Sequence, residues 1–204
     1  MNYLKYLTEE IHSTVMATVD EKGLPVTCAI DIMDYDENGL YFLTARGKNF
    51  YARLKGCGYV SLTGMKGTDT LSCVAISVKG KIEEIGSDYL NRLFEKNSYM
   101  CEIYPTKKSR TALTVFRIYD GCGEWFDLSK KPIERECFSF GNGIKTVDGY
   151  YITDKCIGCR KCTEVCPQGC IDFTSGYARI IQSNCLHCGN CFNICPEKAV
   201  VKRG

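Results

Sequence analysis

The sequence predicts an α+β protein with an N-terminal β-barrel, short connecting helices and a small cysteine-rich domain at the C-terminal end. Two observations favour the barrel: runs rich in β-branched and aromatic residues, and turn-forming sequences between them. A third observation, a cysteine pattern repeated after 29 residues, defines the small domain. A chain of 204 residues can bury one good core and carry a second module.

The barrel is predicted from six strand-like segments, most of them joined by short turns such as Asp20 to Gly23 and Asp36 to Gly39. Apolar residues at helical spacing predict a short amphipathic helix before the first strand. The predicted strands are 14–19, 26–33, 40–44, 59–63, 71–85 and 112–119, and the predicted helices are the N-terminal one, 47–55 and 87–96.

The predicted domain boundary lies near residue 140. Ser129 to Pro132 and Gly141 to Gly143 are turn-rich, and they flank a stretch with little periodicity. We therefore expect domains at 1–140 and 141–204.

Composition narrows the class of protein. The chain has 26 lysines and arginines and 24 aspartates and glutamates, with no long run of like charge. We therefore do not expect it to bind nucleic acid. The N-terminal segment lacks the pattern of a signal peptide, and nowhere do about 18 apolar residues follow one another. We expect a soluble, cytoplasmic protein that binds no membrane.

The fifteen cysteines indicate metal binding rather than disulfides, because eight of them form two regularly spaced groups. Each group reads Cys-x-x-Cys-x-x-Cys-x-x-x-Cys-Pro, so that three thiolates come from one tight loop and the fourth lies apart. Zinc is the alternative, since Cys-x-x-Cys pairs also bind zinc, although zinc does not require the Cys-Pro ending. The groups are Cys156, Cys159, Cys162 and Cys166, and then Cys185, Cys188, Cys191 and Cys195.

This tail resembles the bacterial two-cluster ferredoxins over about 60 residues, a likeness that implies two [4Fe-4S] clusters. In those proteins the fourth cysteine of each motif ligates the other cluster. We therefore assign one cluster to Cys156, Cys159, Cys162 and Cys195, and the other to Cys185, Cys188, Cys191 and Cys166.

The N-terminal part resembles the pyridoxamine-phosphate-oxidase-like, FMN-binding split-barrel family over about 120 residues. No single segment decides the likeness, which depends on the order and spacing of several. The segments are Val15 to Pro25, Gly39 to Thr44, Arg46 to Lys48, Val78 to Ile85 and Val115 to Ile118.

The resemblance implies a homodimer with FMN in each of two clefts at the subunit interface. Lys48 matches the phosphate-binding lysine of the family, with Arg46 close by, and the strand at 27–30 matches the one along the flavin ring. A phosphate also needs cations and hydroxyl donors, which this region supplies at the start of a predicted helix. The candidate FMN contacts are Thr27, Cys28, Ala29, Ile30, Leu43, Thr44, Arg46 and Lys48.

After Trp125 the chain lacks the Arg-Leu motif with which the name-giving oxidase grips its substrate, so that activity is not expected. The two parts together predict an iron-sulfur flavoprotein oxidoreductase that passes electrons between the clusters and FMN to a small-molecule acceptor. Its electron donor would be a redox partner protein or another reduced donor. One alternative is an electron carrier or redox sensor without a substrate of its own, and another is a barrel that holds haem or F420. No residue is assigned a catalytic role.

Overall fold

A computed structural model describes residues 1–146, 148–174 and 176–204 of the chain. The chain forms two compact units, each assembled from separate segments. The single boundary near residue 140 stays a prediction. The first unit comprises Met1–Lys66, Ala75–Gly123 and Phe138–Lys145, and the second comprises Gly67–Val74, Glu124–Cys137 and Thr146–Gly204.

The main sheet has eight strands in the described part of the chain, in the order β2-β1-β5-β6-β7-β4-β3, with β8 paired to β7. It does not close, because β2 and β3 end this order without pairing to each other. The strands are β1 Ser13–Val19, β2 Pro25–Asp31, β3 Asp34–Asp36, β4 Gly39–Ala45, β5 Tyr59–Lys66, β6 Val74–Gly86, β7 Leu113–Asp127 and β8 Glu134–Phe140.

Strands β1 and β2 form a hairpin that ends at the edge of the sheet. Its turn is stabilised by Asp20, whose Oδ1 accepts hydrogen bonds from the backbone N–H groups of Lys22 and Leu24 at 2.8 and 2.9 Å. Met16 pairs with Cys28 in this hairpin and is fully buried, whereas its neighbour in β1, Val15, is exposed. One face of the hairpin therefore meets the core and the other faces outward.

Strand β4 is buried on both faces, which explains its nearly unbroken apolar sequence. On one face Phe42 stacks on Phe116 of β7, with ring centroids 5.9 Å apart. On the other face Tyr41 and Leu43 pack in a cluster with Leu93. Strand β4 therefore has apolar core on both of its faces.

Short helices connect the strands. The first helix, α1, continues into one π-helical turn over Leu7–Ile11. Helix α3 packs its buried residues Leu93 and Phe94 into the cluster that contains Leu43. The helices of the first unit are α1 Tyr3–Tyr6, α2 Asn49–Cys57, α3 Leu90–Lys96 and α4 Met100–Ile103.

In the described residues the second unit contains two small two-stranded antiparallel sheets and two short helices. Its core is formed by cysteines of the repeated motifs together with apolar residues such as Ile180 and Val200. 3₁₀ turns lie at Thr70–Ser72 and Gln182–Asn184. In this unit β9 Gly149–Ile152 pairs with β12 Val200–Arg203, β10 Ile171–Asp172 pairs with β11 Arg179–Ile180, and the helices are α5 Lys161–Glu164 and α6 Asn190–Ile194.

The predicted α+β class with an N-terminal split barrel is confirmed, and each of the six predicted strands overlaps an observed one. Strand β8 was not predicted. Its first three residues, Glu134, Arg135 and Glu136, are all charged. The segment therefore lacks the alternation of apolar and polar residues that predicts a strand. No described helix has the length and apolar character needed to cross a bilayer.

Candidate metal centres and cofactor cleft

Two cavities in the second unit are each lined by four of the eight repeated cysteines. The two cavities are of similar size, as expected if both accommodate the same kind of group. Each cavity combines three cysteines of one repeat with the fourth cysteine of the other, which is the grouping that the sequence predicts. Cavity A is lined by Cys156, Cys159, Cys162 and Cys195, and cavity B by Cys166, Cys185, Cys188 and Cys191.

The surroundings of the thiols suit thiolate-bound clusters. The backbone N–H of His187 donates to Cys185 Sγ at 3.4 Å, and that of Ala199 donates to Cys195 Sγ at 3.3 Å. Val200 lines cavity A and Ile171 lines cavity B. Amide donors stabilise thiolate charge and apolar walls limit water, which are two of the means by which proteins adjust a cluster. The donor set and the cavities therefore fit [4Fe-4S] clusters.

No three His, Cys, Asp or Glu side chains in the described ranges converge closely enough to hold a single metal ion. The thiols instead surround larger cavities. The role of each cysteine as a cluster ligand stays a prediction.

Cys170 is an additional thiol at cavity B. It is 4% exposed, and its Sγ lies 3.5 Å from that of Cys166. Its counterpart in the second repeat, 29 residues further along, is Ala199. The two cavities thus differ in their thiol content, a difference that the motif spacing does not indicate.

A largely buried arginine lies beside the loop of cavity B. Arg135 Nη1 donates to His187 Nδ1 at 2.5 Å, and Arg135 Nε lies 3.2 Å from Glu124 Oε1. The guanidinium also lies over the ring of Phe126, 4.9 Å from its centroid. Burial, followed by the charge of Arg135, lowers the pKa of His187, so this imidazole is neutral and can accept the hydrogen bond.

In the first unit, Cys28 and Lys48, which the sequence assigned to FMN, lie within electrostatic reach of each other. Burial raises the pKa of the Cys28 thiol, while the cations Arg53 and Lys48 lie near enough to oppose that rise. Arg53 is fixed by a hydrogen bond from its Nε to Thr18 Oγ1 at 2.8 Å. Cys28 of β2 and Lys48 at the start of α2 therefore belong to one region, with Arg53 as a cation that the sequence analysis missed.

Arg46 and Lys55 both pair with the carboxylate of Glu84. Its Nε lies 3.7 Å from Glu84 Oε1, and Lys55 Nζ lies 3.1 Å from the other carboxylate oxygen. Glu84 also accepts hydrogen bonds from Thr114 at 2.7 Å and Tyr51 at 3.1 Å. Burial would raise the pKa of Glu84, but its hydrogen-bonding partners outweigh burial and hold it below its usual value. Glu84 thereby stays ionised and neutralises part of the local positive charge, while Arg46 Nη1 donates a hydrogen bond to Thr111 O at 3.1 Å.

Lys48 is exposed, and no carboxylate within the described ranges forms an ion pair with it. It is the N-cap residue of α2, so it stands at the end of the helix where free backbone N–H groups and a lysine can bind an anion together.

Thr44 and Leu43 point to opposite faces of β4. Thr44 is 2% exposed, and its Oγ1 has no hydrogen-bond partner among the described residues. Such a buried hydroxyl is costly unless a ligand supplies the partner, and a phosphate or flavin oxygen would do so. The Leu43 side chain lies in the apolar core, so only its main chain is left for a cofactor.

The remaining candidate contacts lie on the edge strand β2. Thr27 and Ala29 are exposed, whereas Cys28 and Ile30 are half-buried. In the described sheet β2 pairs only with β1, so the N–H and C=O groups along its outer edge are open to a ligand. This pattern suits the donor and acceptor edge of a flavin ring.

A hydrogen-bonded network follows directly after these residues. Tyr99 Oη donates to Asp31 Oδ2 at 2.9 Å, and His12 Nε2 lies 2.9 Å from Tyr99 Oη. Burial and the bond to Asp31 raise the pKa of Tyr99, so this phenol stays protonated. No sequence pattern indicates the network, because its members are far apart along the chain.

Comparison with known families decides how the first unit is classified. The sequence model of pyridoxamine 5'-phosphate oxidase matches residues 3–119, more than half of the chain. The chain belongs to the pyridoxamine 5'-phosphate oxidase family. A 4Fe-4S dicluster domain matches residues 155–199, which include all eight cysteines of the two cavities. This member of the oxidase family therefore carries a dicluster ferredoxin domain.

Several solved structures share the fold of this part of the chain. A NimC/NimA family protein from Clostridium acetobutylicum is 15% identical and gives a TM-score of 0.55 over 69% of this chain and 93% of its own. A protein related to general stress protein 26, also from Clostridium acetobutylicum, is 18% identical, with a TM-score of 0.51 over 66% and 90%. A heme-binding protein from Mycobacterium smegmatis is 10% identical, with a TM-score of 0.52 over 67% and 56%. At these identities the likeness is one of fold. No curated protein matches the chain.

Proposed function

We propose that this protein is an iron-sulfur flavoprotein oxidoreductase in which two [4Fe-4S] clusters exchange electrons with FMN, which reduces a small-molecule acceptor. The observation that supports this proposal most strongly is the pair of four-thiol cavities in a chain whose larger part is a member of an oxidase family. Cavity A and cavity B would each hold one cluster. The clusters would supply single-electron transfer, and FMN would exchange either one or two electrons.

The residues of the first unit divide the binding of FMN between them. Lys48 would bind the phosphate, and Arg46, paired with Glu84, would assist. Thr44 would donate its otherwise unpartnered hydroxyl hydrogen to an oxygen of the cofactor. The open edge of β2 over Thr27 to Ile30 would align the flavin ring through main-chain hydrogen bonds. Arg53 adds a cation beside Cys28 and favours a reduced, negatively charged flavin.

We also propose a homodimer formed through the outward face of β1, β2 and β5. Val15 is 53% exposed, Tyr59 46% and Met65 66%, and all three are at alternate positions that point away from the core. An apolar strand face of this kind is typical of a surface that is covered in the assembly. FMN bound at β2 would then lie next to the partner subunit.

The first experiment is cofactor analysis of anaerobically purified protein. We expect about eight iron and eight sulfide per chain, in line with two four-iron clusters, and one FMN released on denaturation or taken up on addition. Protein that contains the iron but neither releases nor binds flavin would contradict the flavoprotein proposal. Mass measurement of the extracted chromophore distinguishes FMN from haem and deazaflavin.

The second experiment tests the reaction. The protein, reduced anaerobically with excess dithionite removed, is mixed with nitroaromatic compounds and activated alkenes while the flavin absorbance is followed. Rapid reoxidation that saturates with acceptor concentration supports an enzyme with its own substrate site. Reoxidation only by other redox proteins would instead favour the electron carrier.

A further inference from the structure

The two cavities of the second unit have different electrostatic surroundings although the repeat makes their thiol ligands equivalent. His187 in the loop of cavity B corresponds to Gly158 in the loop of cavity A, 29 residues earlier. Both have left-handed backbones, with φ of +56° at His187 and +70° at Gly158. Glycine adopts this conformation without strain, whereas histidine does so at a cost. The second repeat therefore has a strained histidine where the first repeat has an unstrained glycine.

The side chain of His187 links cavity B to a positive charge. Its Nδ1 accepts a hydrogen bond from Arg135, and its backbone N–H donates to the thiol of Cys185. Arg135 is held from the other side by Glu124 and lies over Phe126. A glycine at position 187 would leave the guanidinium without its imidazole partner.

The strand residue Arg135 belongs to a segment that the second unit fixes in place. Ile133 N donates to Gln168 Oε1 at 3.0 Å, and Asn184 Nδ2 donates to Ile133 O at 2.8 Å. The side chain of Arg135 is only 14% exposed, so solvent screens its charge weakly. Cavity A has basic neighbours as well, Arg160 and Lys161, but both are exposed and screened.

We propose that Arg135, positioned by His187 and Glu124, raises the reduction potential of the cluster in cavity B above that of the cluster in cavity A. Reduction adds one negative charge to a cluster, and a nearby buried cation stabilises that charge. Electrons that enter the domain would then occupy the cluster in cavity B first. This inference rests on the proposed presence of two clusters, and it assigns Arg135 an electrostatic role in setting the order of electron transfer.

The test is a potentiometric titration of the full, anaerobically purified chain with dithionite, followed by electron paramagnetic resonance. Wild type should give two midpoint potentials. Arg135→Gln should lower the higher midpoint potential by at least 59 mV, which corresponds to a tenfold change in the one-electron equilibrium constant. The lower midpoint potential should stay in place. Arg135→Lys should retain most of the wild-type value because it keeps the charge.

Removal of a negative charge near Arg135 should shift the midpoint potential in the direction opposite to that caused by removal of the arginine charge. This comparison separates an electrostatic effect from a structural one. Glu124→Gln removes the carboxylate that offsets Arg135 and should raise the higher midpoint. His187→Gly, which copies the first repeat, should bring the two midpoints closer together. Glu124 is 39% exposed, so Glu124→Gln is the mildest of these changes. It can still test the inference if Arg135→Gln loses iron.

Two outcomes would overturn the inference, provided that the iron content stays near eight. One is unchanged midpoint potentials in Arg135→Gln, and the other is shifts of the same sign in Arg135→Gln and Glu124→Gln. Failure of wild type to bind two clusters would instead contradict the proposed function itself.

Discussion

Thr44 and Thr114 are paired directly across strands β4 and β7, yet only one of their buried hydroxyl groups has a partner. Thr114 Oγ1 donates to Glu84 at 2.7 Å, whereas Thr44 Oγ1 has no hydrogen bond among the described residues. Paired residues of an antiparallel ladder share a face of the sheet, so both side chains lie on the face where Thr114 meets Glu84. This pair offers a matched comparison between a hydroxyl that stabilises the protein and one that is available to a cofactor.

Replacement of Thr44 by Val should have opposite effects on stability and on FMN binding. In flavin-free protein the variant removes an unsatisfied buried hydroxyl, which should stabilise the barrel by up to about 1 kcal/mol. FMN affinity should fall, because the cofactor loses a donor. Thermal unfolding and fluorescence titration with FMN measure the two effects.

Thr114→Val is the control for this experiment. It breaks the bond to Glu84 and should destabilise the barrel by about 1 to 3 kcal/mol. If Thr44→Val lowered stability as much as Thr114→Val and left FMN affinity unchanged, Thr44 would be a core residue without a ligand.

Replacement of Lys48 by Glu should weaken FMN binding about tenfold to a hundredfold, since it exchanges a charge-assisted phosphate contact for repulsion. Lys107→Glu, at another exposed lysine, is the charge-matched control. Equal affinities of the two variants in equilibrium titrations would exclude Lys48 as the phosphate ligand.

The sequence predicted the parts of the fold that depend on local chemistry. The Asp20 turn, the apolar run of β4 and the 29-residue cysteine repeat each have a direct counterpart in the structure. Strand β8 escaped prediction because Arg135 occupies a position whose burial depends on a partner more than 50 residues away. Pairing over such a distance leaves no period in the sequence.

The same reasoning explains which site residues were predictable. Lys48 and Thr44 were found because they lie in one short segment that resembles the family. Arg53, Arg135 and Cys170 were not found, because each gains its role only from neighbours brought close by the fold. Their residue types alone are equally compatible with a solvated surface or a packed core.

Replacement of Cys170 by Ala should leave the iron content near eight per chain. The residue is outside the four-cysteine set of cavity B, and the second repeat already has alanine at the equivalent position 199. Cys185→Ala, a change in the predicted ligand set, should lose about four iron atoms. Loss of four iron atoms in Cys170→Ala would show that the ligand assignment at cavity B is incorrect.

Replacement of Val15 by Glu should convert the proposed dimer into a monomer. The side chain is 53% exposed on the outward face of β1, and a carboxylate buried there in a dimer would have no partner. Leu24→Glu, at a turn residue that is 57% exposed, is the control. Light scattering coupled to size-exclusion chromatography gives the mass, and a dimeric Val15→Glu protein would place the interface elsewhere.

The barrel also contains a buried carboxylate that should be important for stability. Asp34 Oδ2 accepts a hydrogen bond from Arg92 Nε at 2.6 Å, and Oδ1 accepts one from Lys96, so β3 is tied to α3. The Asp34 side chain is fully buried, whereas Arg92 and Lys96 are 44% and 47% exposed. Loss of the carboxylate charge therefore breaks two charge-assisted bonds but leaves both cations free to hydrate.

Asp34→Asn should consequently cost about 2 to 4 kcal/mol, less than the sum of two isolated buried ion pairs. Chemical denaturation followed by circular dichroism measures the change. Glu10→Gln breaks the Lys66 pair, in which both partners are about half exposed, and should have little effect because solvent screens that pair. If the two variants lost equal stability, burial of Asp34 would contribute nothing beyond an ordinary surface ion pair, and α3 would be held to β3 by the apolar contacts of Leu93 and Phe94 alone.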